Sequence, residues 1–296
     1  MADRFLSPLR YPGGKARMAP YLARLIAMQP VRPTAYAEPF AGGAGAALRL
    51  LVDGTVDRIY INDLAPGIAA FWRSVFMHTE ELATMVETAT VDLTHWYRAR
   101  SICTSQVGYD DLSLGYATFF LNRCNRSGIL GARPIGGLQQ TGKWKIDARF
   151  NRANLAGRIR MLGEYRDRVV VSQLDAREFL DQTKDLGERL FLYVDPPYVE
   201  QGEDLYLDSL ETKDHEQLAE QLKELISPWV LTYDVANFVS EDLYADLRTA
   251  KFGIAHTAQR QHIGSELAVF SKNLLVDSIQ VLPRANATWL EPAISL

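Results

Sequence analysis

The chain has 296 residues, 47% hydrophobic and 23% charged, with 32 Lys/Arg against 36 Asp/Glu for a formal net charge of −4. This balance is ordinary for a globular protein with enough chain for a buried core, and no apolar run approaches the roughly 18 residues of a membrane span. A polar, Pro-containing N-terminus without a signal core, and only two cysteines, Cys103 and Cys124, argue against export and against a disulfide framework. The expectation is a cytoplasmic protein in a reducing compartment; scattered histidines in no ligand spacing predict no metal.

Residues 34–38 read as a short strand stopped by Pro39, and the turn Gly42-Gly43-Ala44-Gly45 opens an Ala/Leu-rich helix to about Leu51. A second strand, residues 58–61, ends at Asn62-Asp63, and Pro66 begins a helical stretch with Phe71, Trp72 and Phe76. Strand, turn, helix and strand in that order start a parallel α/β sheet. From about Thr79 to Tyr165 the strand signal fades into helical patterns and polar loops. Between Arg123 and Arg168 there are 11 Lys/Arg against 3 Asp/Glu, inside an otherwise acidic chain. Such a segment suits local phosphate binding, with a solvated charged face as the alternative.

Strand signals return at 169–172 and 189–194, whose continuous apolar runs suit strands covered on both faces. A helix over 214–226 keeps Leu218, Leu222, Leu225 and Ile226 on one face, and Trp229-Val230-Leu231-Thr232 is the next strand. Runs near 253–257 and 267–271 can pair as a hairpin, with 259–266, including Arg260 and His262, as a loop that meets a ligand or stays on the surface.

Glycines between strand and helix let backbone approach a ligand closely, and Asp63, 21 residues after Gly42, stands near the spacing of a ribose-holding acid. A nucleoside-containing cofactor fits, although a clean third glycine for a dinucleotide is missing. Directly after a buried strand comes Asp195-Pro196-Pro197-Tyr198. Two prolines stiffen the turn and leave carbonyl acceptors, an ionised Asp only accepts, and Tyr198 adds a stacking face. The set complements an amino group on a planar base. Near the N-terminus, Arg10-Tyr11-Pro12-Gly13-Gly14-Lys15 has the makings of an anion-holding loop.

Taken together, these segments resemble the Dam-type adenine-N6 DNA methyltransferases, which use S-adenosylmethionine. The family's aromatic-x-Gly-Gly-Lys is matched by Tyr11 to Lys15, its Glu-Pro-Phe-x-Gly-x-Gly by Glu38-Pro39-Phe40-Ala41-Gly42-Gly43-Ala44-Gly45 with an extra glycine, and its Asp-Pro-Pro-Tyr by Asp195 to Tyr198. The resemblance implies a Rossmann-like methyltransferase sheet over 1–78 and 165–296, with a mainly helical target-recognition domain inserted at 79–164. It implies cofactor contacts from Tyr11, Lys15, Glu38, Phe40, Gly42, Gly43, Asp63, Asp175 and Asp195, and catalysis by Asp195, Pro196, Pro197 and Tyr198. Double-stranded DNA would be met by Arg10, Asn122, Arg123, Arg126, Lys143 and Lys145. The implied location is the cytoplasm, at the nucleoid when bound to DNA, and a cognate restriction enzyme is a candidate partner that the sequence leaves open. The family's Asn-Gly turn and Gly-x-Phe-Asn-x-Pro are replaced by Arg126-Ser127-Gly128 and Gly142-Lys143-Trp144-Lys145-Ile146, so the target sequence is not legible.

The implied reaction is direct transfer of a methyl group to the amine of a flipped-out adenine. Cytosine-C5 chemistry needs a Cys nucleophile, usually after Pro, and here Ile102 and Arg123 precede the cysteines. A cytosine-N4 enzyme, which commonly has Ser at the place of Asp195, and a catalytically inactive DNA-binding module of the same fold stand as the alternatives.

Overall fold

A computed structural model of the chain describes residues 6–11, 15–106, 108–197, 210–256, 262–279, 281 and 286–290, with backbone alone for 254–256 and 262–263. In chain order the elements are α1 (Ala19–Met28), β1 (Ala35–Glu38), α2 (Gly45–Val52), β2 (Arg58–Asn62), α3 (Pro66–Met77), α4 (Thr79–Glu87), α5 (Leu93–Ser105), α6 (Asp111–Cys124) and α7 (Arg152–Gly163). They continue as β3 (Val169–Ser172), α8 (Ala176–Thr183), β4 (Leu190–Val194), α9 (Thr212–Glu224), β5 (Trp229–Asp234), β6 (Arg248–His256), β7 (His262–Phe270) and β8 (Ala287–Leu290). The protein is mixed α/β, as expected. Two compact units divide it: residues 1–14 with 65–173, and residues 15–64 with 174–296.

The second unit holds the sheet segment β2-β1-β4-β5-β7-β6-β8. Strands β2, β1, β4 and β5 are parallel, and β7, β6 and β8 continue antiparallel. All five residues of β4 are buried. Leu190, Leu192 and Val194 meet Phe179 and Leu180 of α8 and Leu218 and Leu222 of α9 in one cluster. A strand in mid-sheet with helices packed on it has no solvent face, which is why β4 reads as an unbroken apolar run. Each such Leu, fully buried, contributes about 1.5–3 kcal/mol.

The late runs do pair, as β6 with β7, and Gly253 lies opposite Ser265. The expected loop over 259–266 needs correction. Residues 259–261 lie outside the described residues, but 262–270 form a strand that pairs with β5 as well as β6. Ser265 and Glu266 disguise it, because two adjacent polar residues break the apolar run by which a central strand is recognised. The hairpin is also inserted in reverse, so β7 and not β6 lies beside β5.

The first unit contains α3 to α7 and β3, so α3 and β3 belong with the helical stretch that follows Thr79. Helices α5, α6 and α7 start at Asp92, Asp110 and Asn151, each of which accepts a hydrogen bond from the backbone N–H three residues on. Helices α3 and α6 pack closely at Gly115, where a Cβ would stand 2.7 Å from the Ala70 carbonyl oxygen. Phe71 and Phe119 stack there at 5.6 Å, and Arg73 grips Asp111 with two hydrogen bonds of 2.6 and 2.7 Å.

Candidate active site

After β1 the chain moves to β2 on one side, and β4 later takes the other side of β1. Loops leaving the carboxyl ends of β1 and β4 therefore diverge, which opens the crevice where parallel α/β sheets take their ligands. Both glycine turn and proline turn start at this divide. In the first, Gly42 has φ 47° and Ala44 φ 46°, and Ala44 N–H closes the turn on the Ala41 carbonyl at 2.6 Å. Gly42 occupies the left-handed region at no steric cost; Ala44 holds it under strain, before the first turn of α2.

Asp195 follows β4 and is partly buried. Its Oδ1 accepts from the Thr232 hydroxyl at 2.6 Å and pairs with Lys15 Nζ at 2.9 Å. Since the single Thr232 hydrogen goes to the carboxylate, the Tyr193 hydroxyl donates to Thr232 Oγ1, at 2.7 Å. Lys15 also donates to Glu266 Oε2 at 3.2 Å, and Glu266 has a side-chain exposure of 1%. No described residue donates to Oδ2 of Asp195. Burial pushes the Asp195 carboxyl above the usual carboxylate range and Glu266 adds to this, while Lys15 and the Thr232 hydrogen bond oppose it. Pro196 and Pro197 continue the turn; Tyr198 lies outside the described residues.

The other expected cofactor positions take definite places. Asp63 Oδ2 accepts from the Gly42 N–H at 2.8 Å, so the acid at the end of β2 braces the glycine turn. Glu38 is buried, and its Oε1 accepts from the Tyr36 hydroxyl at 2.8 Å and the Ala47 N–H of α2 at 3.0 Å. Burial, the largest influence, raises its carboxyl to about 8. Phe40 packs against the second unit's core cluster. Asp175 caps α8 and forms a two-point ion pair with Arg177 at 2.8 and 2.9 Å, which lowers its carboxyl. Arg177 also reaches Asp214 at 2.9 Å. Tyr11, in the first unit, is exposed, and residues 12–14 lie outside the described residues.

Three participants escape a motif-based reading: Thr232, Glu266 and Asn62. The Asn62 amide donates to the Pro39 and Leu174 carbonyls and its Oδ1 accepts from the Leu174 N–H, all at 2.9 Å. It ties the β1 and β2 ends to the start of α8's loop. A buried Asn next to the ribose-position acid was the only signal it gave.

A family model for D12 class N6 adenine-specific DNA methyltransferases matches residues 11–263. The chain belongs to that family. It is an adenine-specific DNA methyltransferase, an assignment that the resemblance anticipates. Among solved structures it is similar to the rRNA methyltransferase aviRa from Streptomyces viridochromogenes, at 14% identity and a TM-score of 0.35, over 89% of this chain and 87% of that one. No curated protein matches it. Among the described residues no helix is long and apolar enough to cross a membrane, and no cluster of three or more His, Cys, Asp or Glu is placed to hold a metal.

In the first unit of this methyltransferase, Asn122 is 1% exposed and acts as a clamp. Its Oδ1 accepts from the Arg10 N–H at 2.7 Å, and its Nδ2 donates to the Arg10 and Gly128 carbonyls at 2.8 and 2.9 Å. Arg10 Nη1 donates to the Asn125 carbonyl at 3.0 Å. Arg123 is partly buried and donates through Nε to the Arg149 carbonyl at 2.8 Å. Burial, the larger effect, and then Arg10, Arg158 and Arg149 push Arg123 down, and burial and Arg149 do the same to Arg10. Guanidiniums keep their charge, so these arginines form a like-charged group that an anion would relieve. Arg126, Lys143 and Lys145 are exposed. Lys143 sits 5.7 Å from the ring centre of Trp144, itself 64% exposed, and Gln140 braces the loop by accepting from Ile146 N–H and donating to the Ile135 and Gly137 carbonyls.

Proposed function

We propose that the crevice where the β1 and β4 loops part binds S-adenosylmethionine beside the target adenine, and that Asp195 is the acceptor for the adenine amine. The observation that carries this reading is Asp195 itself. One carboxylate oxygen is held by Thr232 and Lys15 and the other has no donor among the described residues, at the topological divide of the sheet.

The donor set fits this cofactor. Asp63 and Asp195 at these strand ends, with Glu266 within β7, outnumber Lys15, and Arg177 is matched by Asp175 and Asp214. An acidic surround suits a ligand with a sulfonium and an ammonium and no phosphate, whereas a nucleotide polyphosphate would be repelled. When bound, the cofactor supplies an already activated methyl group. Asp63 and Asp175 supply carboxylate acceptors for ribose hydroxyls and the cofactor's adenine amine; Gly42 and Gly43 leave space for it; Glu38 fixes β1 to α2 from below. Lys15 and Phe40 border the site.

The amine of adenine is a poor nucleophile because its lone pair is delocalised into the ring. Asp195 Oδ2 and the Pro196 carbonyl accept its two hydrogens, which localises the pair on nitrogen. Pro197 stiffens the turn, and Tyr198 offers a stacking face worth about 1–3 kcal/mol to a flipped base. Most of the acceleration comes from positioning. The first unit supplies DNA recognition: Arg10, Arg123, Arg126, Lys143 and Lys145 meet phosphates, and Asn122 holds the Arg10 segment in place for them. This reading gives the target-recognition role to the helical stretch over 79–164, with cofactor chemistry in the remainder, and it leaves open a companion restriction enzyme.

The test is transfer of labelled methyl from S-adenosylmethionine to double-stranded DNA, followed by base analysis. The wild type should label adenine at N6, and Asp195→Ala should lose transfer by at least about 10²-fold, the scale of one oriented electrostatic contact, while still binding DNA. Normal turnover in that variant would end the assignment. Tight DNA binding by the wild type without any label would mean a binding module.

A further inference from the structure

Glu266 is a buried acid in the middle of a strand, opposite Asp234 on β5 and Phe252 on β6, and an apolar residue would fill such a position at lower cost. What it gains is Lys15, whose ammonium lies between Glu266 Oε2 at 3.2 Å and Asp195 Oδ1 at 2.9 Å. Two carboxylates thus share one cation. Without the second carboxylate, an ammonium beside Asp195 is free to lie across both of its oxygens and cover the one that the substrate needs. The family match ends at residue 263, before Glu266.

We propose that Glu266 is a positioning residue for methyl transfer: it draws Lys15 to one side so that the lysine meets only Oδ1 of Asp195 and Oδ2 stays open to the substrate amine. The inference rests on the reading of Asp195 as the amine acceptor. Around this triad stand Thr232 and Tyr193, whose hydroxyls complete the Oδ1 side, and Tyr36, Glu38 and Tyr233, which feel the Asp195 charge. The tyrosines are all raised well above their ordinary range by burial, and Glu38 is present in every variant below, so differences between variants report the triad.

The experiment compares wild type, Glu266→Gln, Lys15→Met and the double variant. Glu266→Gln should lower kcat about 10-fold with the KM for S-adenosylmethionine within about twofold, the mark of an interaction that matters at the transition state. The double variant should be no slower than Lys15→Met alone, because a residue acting only through Lys15 has nothing further to lose. In cofactor-free protein, the 13C resonance of a labelled Lys15 side chain should titrate about one unit lower in Glu266→Gln, since an anion beside the ammonium has gone. Multiplying losses in the double variant, or an unmoved lysine titration, would overturn the proposal. If Glu266→Gln does not fold, Glu266→Asp keeps the charge and withdraws it by one methylene; the same kcat loss supports the proposal and full kcat refutes it. The lysine titration needs no substrate, so a wild type inactive on adenine would remove the amine reading while leaving the Lys15–Glu266 contact separately measured.

Discussion

On the proposed reading Asp195 must be ionised to keep Oδ2 a strong acceptor for the adenine amine, yet burial drives its carboxyl up and Lys15 only partly offsets this. Methyl transfer should therefore fall as pH drops through that raised value, and a kcat–pH profile reads it directly. Glu38 gives the stability counterpart. Its carboxyl moves from 4.5 to about 8 in the folded protein. The folded state then holds a proton that the unfolded state has released, so stability is greatest below the lower value and is lost as pH rises toward the upper one, with a slope of at most about 1.4 kcal/mol per pH unit. Glu38→Gln keeps an oxygen for Tyr36 and Ala47 but cannot ionise. The melting temperature of the wild type should fall relative to this variant between about pH 5 and 8; parallel curves would show that Glu38 does not titrate there. Of these residues, Asp195 and Glu38 were legible as parts of motifs. Thr232 was not, because it lies in an otherwise apolar strand, and Glu266 was not, because its stretch read as a loop; the sheet register brings both to the turn.

Elements repeat the lesson at larger grain. β1, the glycine turn, α2 and β4 were readable because burial on both faces and a forced left-handed backbone leave compositional marks. α8 and β8 were not: α8 is a short, mostly polar helix started by an Asp175 cap, and β8 is a brief edge strand of mixed composition. The glycine turn invites a paired test. Gly42→Ala places a side chain at φ 47° and should cost about 1–2 kcal/mol, whereas Ala44→Gly relieves φ 46° and should be neutral or stabilising. Thermal melts of the two variants should move in opposite directions; equal losses would mean that the turn relaxes.

Over the whole molecule, a net charge of −4 conceals a basic stretch whose parts have different employment. Arg160 is neutralised by Glu80 and Glu87, and Arg152 is held on the Ala89 carbonyl, while Lys143 and Lys145 stand exposed beside Trp144. Replacing both lysines by Gln should weaken DNA binding and reduce the slope of log affinity against log salt by about 1.8, near 0.9 for each phosphate that is no longer neutralised. An unchanged slope would return them to the solvated surface. The family and its chemistry could be read from motif order, but the target sequence could not, since the segments proposed to read DNA depart from the family pattern at 126–128 and 142–146. The reversed hairpin has a consequence for biosynthesis. Because β7 lies between β5 and β6 and brings Glu266 to Lys15, the residues proposed to complete the amine site stand 251 positions apart in the sequence. On the proposed reading, a growing chain that has already shaped its glycine turn and proline corner still lacks the carboxylate that draws Lys15 aside. It should reach full rate only after β5, β6 and β7 have emerged and paired.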